Sequence, residues 1–195
     1  MADSTPLTGE ALALDLVNTR PRGARGRVDL LATPQQLSAW LHLERDRLRG
    51  ELRDTEPTRA DLVPVHAVRG HVEAVVRALL DGAEPPGAAL RGLTAAQRAA
   101  PPVRELGWDG SAVTARTRRS GPLGVRLAAL FAEAAAGLLS DPAIGRLKEC
   151  EADGCVMVFV PSHPRRRWCS PARCGNRARV ARHYRRHHPA DVPRP

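Results

Sequence analysis

Apolar residues recur along most of this chain at the three- and four-residue spacing of amphipathic helices. The spacing predicts three helices in the first half, with Thr8, Thr33 and Thr58 as their N-caps. Pro34 follows the second cap at the first helical position, where proline is favoured. Pro64 lies too deep in the third segment for a first turn, so we expect a kink or a restart there. The first half of the chain is therefore predicted to be helical.

The second half continues this pattern around one interruption. After a Gly- and Pro-rich linker at 82–87, residues 88–100 predict a weaker helix that ends at a Pro-Pro pair. Asp109-Gly110 then lies between two short runs, and Asp-Gly in that position favours a β-hairpin. Segment 121–141 is apolar on nearly every side, which predicts the central buried helix of the fold.

Composition supports this fold class and limits the location of the protein. The 195 residues are enough to bury a sizeable core, and the scarce aromatic residues argue against a β-sandwich. The sequence has no run of 18 consecutive apolar residues, and its acidic N-terminal segment does not fit a signal peptide. We therefore expect a cytoplasmic protein with reduced thiols and no membrane partner.

The net charge of +9 is concentrated near the C-terminus. Residues 146–195 contain twelve Lys and Arg and four carboxylates, so they carry +8 and the rest of the chain carries +1. No acidic residue occurs from Pro161 to Ala190. Such a block favours a polyanionic partner, either nucleic acid or an anionic membrane surface. The alternative is an ordinary solvated surface, although such surfaces usually mix both signs.

All four cysteines lie in this basic region as two close pairs. Four residues separate the members of each pair and thirteen lie between the pairs, which are Cys150 with Cys155 and Cys169 with Cys174. Two close pairs around a longer insert favour a tetrahedral four-thiolate zinc site, which is closed and structural. Redox dithiols and disulfides are the alternatives. Four histidines are candidate extra ligands: His163, His183, His187 and His188.

The residues around the cysteines predict a small module that zinc would stabilise. Segment 156–160 is a strand by composition, 161–164 is a turn, and 165–169 can return as the second strand of a hairpin. Gly175 suits a turn with positive φ directly after the last cysteine. A helix then follows, and this order of elements resembles a treble-clef zinc ribbon.

The helix after Cys174 separates apolar from basic positions. Val180 and Tyr184 share one side of it, which predicts a stripe that docks onto the rest of the module. The opposite side carries an arc of roughly 120° of arginines, namely Arg179, Arg182, Arg185 and Arg186. Such a face fits a phosphate backbone or a major groove. The predicted hairpin extends the same charge with Arg165, Arg166 and Arg167.

Two groups of motifs resemble known families. "RRWC" at 166–169, followed by "CGNR" at 174–177, resembles the CGNR zinc finger. "LALDLVNTR" at 12–20 and "VDLLATPQQLSAWL" at 28–41 resemble the ABATE domain that accompanies this finger. The resemblance covers about 7–188. It implies a largely helical, stress-induced transcription regulator of bacteria whose finger binds DNA.

The resemblance also implies roles for individual residues. The four cysteines would hold one structural Zn²⁺, and Asn176 and Arg177 would order the second cysteine turn or meet phosphate. Arg177 projects nearer to the docking stripe than to the arginine arc, which favours a partly structural role. The residues after Phe159, "VPSHP", depart from the acidic stretch often found there, which leaves the detail of the hairpin open.

The part of the chain before the cysteines has no catalytic signature. Asp15, Asn18 and Arg20 interrupt an apolar run near the end of the first helix, and we expect them to be candidates for lining an effector pocket. The alternative is ordinary helix termination, in which Asn18 and Thr19 bond to the local backbone.

The predicted organisation is a helical ABATE-like domain at 1–145, a CGNR finger at 146–188 and a disordered tail at 189–195. The expected function is zinc-dependent binding of DNA at the nucleoid, without enzymatic activity. A homodimer and a small-molecule effector are further expected partners. The alternatives are an RNA- or ribosome-associated zinc-ribbon protein, and a small-molecule-binding helical domain with an accessory finger.

Overall fold

The computed structural model describes residues 6–23, 26–48 and 56–187. His188 and the predicted tail at 189–195 lie outside the described residues. The helices are α1 (Leu12–Val17), α2 (Pro34–Leu43), α3 (Arg59–Leu80), α4 (Gly87–Ala99), α5 (Leu123–Ser140) and α6 (Asn176–His187). Three antiparallel ribbons accompany them in the described residues: β1 (Arg22–Gly23) with β2 (Gly26–Arg27), β3 (Val103–Trp108) with β4 (Val113–Arg118), and β5 (Lys148–Glu149) with β6 (Val158–Phe159). The predicted fold class, mainly α with small hairpins, is confirmed.

Two of the three predicted helix N-caps are confirmed. Thr33 Oγ1 accepts the Gln36 N–H at 3.2 Å, and the Gln36 side chain accepts the Thr33 N–H at 3.0 Å. At the start of α3, Asp61 accepts the Thr58 N–H at 2.8 Å. α3 then runs through Pro64 as one helix, so the chain does not restart there, and a kink at Pro64 stays a prediction. Packing of α3 on α1 and α5 outweighs the roughly 3 kcal/mol that an interior proline costs.

The start of α1 differs from the prediction. The helix begins after Ala11 and Thr8 does not cap it. Instead Asp15, inside α1, accepts the N–H groups of Gly9 and Glu10 at 2.9 and 3.1 Å. This carboxylate folds the preceding residues back over the helix, and we call residues 7–10 the N-terminal strap.

α5 is the central helix, as its apolar sequence predicts. It packs against α1, α3 and α4, and the side chains of Leu127, Phe131 and Ala132 are fully buried. The ring of Phe131 lies 5.5 Å from that of Trp40 in α2. Within the described residues, α5 is one helix with the length and apolarity of a membrane span. Its burial in the bundle accounts for that composition.

The first residues of α3 and α5 meet at Gly124. Its N–H donates to Asp61 Oδ1 at 2.7 Å, and a Cβ at this position would lie 2.5 Å from the Cα of Asp61. Space therefore requires glycine here. Because α3 and α5 start side by side, they also end on the same side of the bundle. At that end of α3, Arg77 Nη1 lies 2.6 Å from Glu149 Oε2, which belongs to the cysteine-containing part of the chain.

β3 and β4 form the hairpin predicted at Asp109-Gly110. Gly110 has a φ of 101°, and the Asp109 carboxylate accepts the N–H groups of Ser111 and Ala112, both at 2.9 Å. At the base, Arg119 Nη1 donates to the carbonyl of Ala100 at 2.6 Å. Beyond this base every residue of β3 is exposed, so the ribbon projects from the bundle.

The predicted hairpin of the cysteine-containing part has the wrong partner strand. β6 pairs with β5, which precedes the first cysteine, and residues 165–169 contain no strand. The first cysteine pair therefore lies in the turn of the hairpin itself. This pairing buries Val158 and Phe159 completely, whereas the three arginines of 165–169 favour solvent.

Asn18 joins the helical bundle to this hairpin. Its Nδ2 donates to the carbonyl of Val158 and its Oδ1 accepts the Val158 N–H, both at 2.9 Å. Both residues are buried, so the amide side chain stands where a neighbouring strand would otherwise pair. The N-terminal strap makes a second junction, because Leu7 packs against the cysteines and Glu10 forms an ion pair with Arg166.

Candidate metal centre and nucleic-acid interface

Two tight turns bring the cysteines together. In the first, the Cys150 N–H donates to the Met157 carbonyl at 2.9 Å, and Gly154 adopts a φ of 70°. In the second, Ser170 Oγ accepts the Arg173 N–H at 3.2 Å, and one turn of π-helix spans Pro171–Gly175. Gly175 is not among the glycines with positive φ, so that prediction is wrong. The chain instead continues from this turn directly into α6.

The four sulfur atoms converge on one point. All four Sγ atoms lie within 4.8 Å of one another. The distances are 3.9 Å for Cys155–Cys169, 3.6 Å for Cys169–Cys174 and 3.7 Å for Cys174–Cys155. A tetrahedral ion with Zn–S bonds of about 2.3 Å needs sulfurs about 3.8 Å apart. The cluster therefore fits one four-coordinate zinc ion with no position open to substrate.

Electrostatics inside the cluster favour a cation. Hydrogen bonds from the Cys155 and Cys169 thiols lower the pKa of Cys150 to about 2. The same contacts raise the pKa of Cys155 to about 12 and also raise the pKa of Cys169, because a second thiolate would face the first. Thiols packed this closely resist losing more than one proton unless a cation offsets the charge. Zn²⁺ supplies that charge.

Polar groups outside the cluster hold the sulfurs in place. The Cys169 N–H donates to Cys150 Sγ at 3.3 Å. Arg177 Nη2 donates to Cys174 Sγ at 3.5 Å, which agrees with the partly structural role expected for this arginine. Among the described residues the metal-binding group consists of the four cysteines. Hence His163, His183 and His187 are not brought in as extra ligands.

Two family models match the chain. The model for the ABATE family, described as "Putative stress-induced transcription regulator", matches residues 10–142, and the model for the CGNR zinc finger matches residues 146–187. The chain belongs to the ABATE family. This confirms the resemblance carried by "LALDLVNTR" and "CGNR", and the CGNR finger holds one structural zinc ion at the four cysteines. No curated protein matches the chain.

α6 of the CGNR finger is rotated relative to the predicted orientation. Val180 is 68% exposed and Tyr184 is 49% exposed, so they do not form the expected docking stripe. The half-buried Ala178 and Ala181 face the finger instead, and with Trp168 they line a cleft of about 150 Å³. Small side chains let the helix approach closely, and this leaves the bulkier apolar residues in solvent.

The arginines predicted to bind nucleic acid fall into two groups. Arg166 is engaged within the finger, since its Nη2 donates to the Cys169 carbonyl at 2.6 Å and its Cζ lies 4.3 Å from the centre of the Phe159 ring. Arg177 contacts a sulfur, as described above. The other described side chains are exposed, namely Arg165, Arg167, Asn176, Arg179, Arg182 and Arg186. The side chain of Arg185 lies outside the described part of the structure.

Two of these exposed side chains have partners within the finger. Arg167 Nε donates to Glu151 Oε2 at 2.5 Å, and Arg179 Nη1 donates to Asn176 Oδ1 at 2.8 Å. Exposed pairs of this kind exchange readily with solvent or a competing anion. Both arginines can therefore turn toward a phosphate group at small cost.

The residues predicted to line an effector pocket do not share one cavity. Asp15 is fully buried and binds the strap. Asn18 binds the backbone of Val158, and Arg20 Nη1 lies 3.1 Å from Glu73 Oε2. Each side chain makes a separate structural contact, and Asn18 also lines a cleft of about 260 Å³ beside the strap, so an effector pocket that involves these residues stays a prediction.

Sequence reasoning missed two ionic contacts that shape this part of the protein. Buried Glu44 and Asp15 both bind Arg47 Nη1, at 2.8 and 2.6 Å. Fully buried Arg69 binds Asp29 through both guanidinium nitrogens, at 2.7 and 2.5 Å. The signal in the sequence is a charged residue inside an apolar helical stripe, namely Asp15 in "LALDLV" and Arg69 in "VRGHVEAVV". The partners of Asp15 and Arg69 lie 32 and 40 positions away in sequence, so the signal marks the residue without identifying its contact.

Proposed function

We propose that this protein is a DNA-binding transcription regulator whose zinc-anchored α6 lies against duplex DNA. One observation carries the proposal: the exposed arginines of α6 occur in a stretch, Pro161 to Ala190, without a single carboxylate. Arginines in an acid-free stretch have few neighbouring carboxylates to compete with phosphate groups, and those present, Glu151 and Asp153, lie in the cleft on the side of α6 that faces the finger. The zinc site would hold this face at a fixed angle to the finger.

The expected contacts with DNA differ between the arginines of α6 and those outside it. Arg179 and Arg186 are exposed and would contact phosphates along one strand, joined by Arg182 at the edge of the cleft beside Trp168. Arg165 and Arg167 lie outside α6 and would widen the contact. Arg166 and Arg177 are left out of this set because their guanidinium groups already bind the finger. Exposed Val180 would then face the groove between the phosphate rows, where apolar contacts to thymine methyl groups are made.

Structured RNA is a second candidate partner, and Tyr184 is the observation that favours it. Its ring is half exposed on the same helix as the arginines. Aromatic side chains beside guanidinium groups stack on unpaired bases. Duplex DNA offers no unpaired base, so the two partners can be separated by experiment.

The remaining parts of the proposal concern cellular context. The matched families are regulator and finger types rather than enzyme families. We assign the protein to the cytoplasm of a bacterium, in contact with chromosomal DNA and without catalytic activity. The division into a helical domain at 1–145 and a finger at 146–188 belongs to the same proposal. A small-molecule effector has no assigned pocket.

The test is fluorescence anisotropy of the zinc-loaded protein with a mixed-sequence DNA duplex and with an RNA hairpin at three salt concentrations. We expect micromolar affinity for the duplex that falls steeply with salt. The double variant Arg182→Ala/Arg186→Ala should lower the salt slope by about one for each lost phosphate contact. The matched control is Arg91→Ala/Arg98→Ala, which removes the same charge from exposed positions on α4. An equal loss in both variants would leave only a net-charge effect, and tighter binding to the hairpin would favour RNA.

A further inference from the structure

The projecting ribbon of β3 and β4 has one apolar face that the described residues leave uncovered. The register pairs Trp108 with Val113 and Leu106 with Ala115, and alternation puts all four side chains on the same face. Leu106 is 75% exposed, Val113 is 69% exposed and Trp108 is 66% exposed. Isolated two-stranded ribbons are marginally stable in water, so an apolar face of this kind favours a covering partner.

The opposite face of the ribbon is polar. Glu105, Thr114 and Arg116 lie on it together with Arg118, whose Nε binds Glu105 Oε2 at 2.8 Å. Solvent and this ion pair satisfy the polar groups of that face. Only the apolar face therefore lacks a partner among the described residues.

The charges along the ribbon indicate what covers the apolar face. The tip carries Asp109, and Arg104 lies at the base of the apolar face. Phosphate groups would be repelled by the tip, which argues against nucleic acid. A second ribbon laid antiparallel on the first would bring each acidic tip to the basic base of the other. The ribbon is therefore its own electrostatic complement, as the interface of a two-fold dimer requires.

We propose that two copies of this protein associate through the apolar faces of their β3–β4 ribbons, with the two-fold axis passing beside Leu106. The pair Leu106–Ala115 lies midway between Arg104–Thr117 and Trp108–Val113 in the register. An axis at that point places Leu106 of one copy against Leu106 of the other copy. It likewise places Ala115 of one copy opposite Ala115 of the other copy. It also puts the ring of Trp108 over Arg104 of the other copy, in cation–π contact.

The size of the face sets the expected affinity. The exposed parts of Leu106, Trp108 and Val113 amount to about 400 Å² per copy, so two faces bury about 800 Å² before the remaining ribbon atoms are counted. Interfaces near 1,000 Å² are typical of weak, reversible association. We therefore expect a dimer with a dissociation constant in the micromolar range. This proposal does not depend on whether the finger binds DNA.

The first experiment is sedimentation velocity of the zinc-loaded full chain from about 1 to about 300 µM, a range that spans the micromolar dissociation constants of weak dimers. Wild type should pass from monomer to dimer, and Leu106→Glu should weaken association at least tenfold. The matched control is Val103→Glu, because Val103 is also exposed but lies on the polar face. A monomer throughout the range, or equal effects of the two variants, would overturn the proposal.

The second experiment tests the position of the axis and does not depend on the Glu variants folding. Ala115→Cys should form a disulfide-linked dimer on mild oxidation, since the two Ala115 positions face each other. Thr114→Cys, on the polar face, should not. Reduced crosslinking of Ala115→Cys in the Arg104→Glu background would support the charge pairing. Equal crosslinking at positions 114 and 115 would rule out this geometry.

Discussion

Removal of the Asn18 side chain tests how the finger is attached to the helical bundle. Asn18→Ala deletes two hydrogen bonds of 2.9 Å to the Val158 backbone. Val158 is fully buried, so both its N–H and its carbonyl lose their partner without gaining water. Each orphaned buried group costs about 1–3 kcal/mol, and we expect the free energy of unfolding to fall by about 2–5 kcal/mol.

Zinc provides an internal comparison for this variant. Without the metal the small finger should lose its structure, and Val158 is then no longer held against Asn18. The cost of Asn18→Ala should therefore be large with zinc and fall below about 1 kcal/mol with a chelator present, since only the packing of α1 remains affected. Urea denaturation followed by circular dichroism at 222 nm measures both values. Asn176→Ala is the control, because Asn176 is exposed on α6.

Two results would refute this reasoning. A loss of less than about 0.5 kcal/mol in the zinc-loaded protein would mean that the amide does not hold the hairpin, because surface substitutions alone cost that much. An equal loss with and without zinc would mean that Asn18 stabilises α1 alone, as ordinary helix termination would.

Three further predictions follow from the site and the core. Cys174→Ser should reduce bound zinc below one ion per chain while most helical signal persists, because the helical bundle does not contain the cluster; metal analysis with circular dichroism checks both. Burial, with help from the Asp15 carboxylate, raises the pKa of Glu44 from 4.5 to about 7. Protonated Glu44 thus contributes fully to the free energy of unfolding below pH 4.5, and this contribution is lost as the pH rises to about 7. Glu44→Gln should therefore be more stable than wild type at pH 8 by about 1–3 kcal/mol, and urea melts should show the gap closing toward pH 5. Gly124→Ala should destabilise by more than about 2 kcal/mol because its Cβ meets the α3 backbone, whereas Gly137→Ala, which has open space, should stabilise slightly in thermal melts.

Local sequence signals predicted helix starts and turns well because neighbouring residues determine these features. Thr33 followed by proline, and Asp109 followed by glycine, each fix a backbone turn within four residues. The cysteine spacing worked for the same reason, since each pair needs only a short turn. The N-cap prediction at Thr8 failed because the helix starts later, after Ala11, while Asp15 inside it binds the N–H groups of the preceding Gly9 and Glu10.

Long-range contacts determine the features of the fold that the sequence pattern did not predict. Periodicity located α6 but not the side that faces the finger, because Ala178 and Ala181 carry no strong signal in a hydrophobic pattern. Segment 165–169 was predicted to pair with β6 by position, yet β5 lies closer once the cysteines form the turn. The Asn18 contact joins positions 140 residues apart, and no local pattern encodes it.

The N-terminal strap has a consequence for how the chain matures on the ribosome. Ribosomes make Glu10 first and its partner Arg166 156 positions later. At about 5–20 residues per second, this interval lasts roughly 8–30 seconds. Leu7 likewise packs against the cysteine cluster only after the cysteines have been made. The strap of the nascent bundle thus lacks these partners until the finger has emerged and taken up zinc, so metal supply during translation affects when the strap and the finger join.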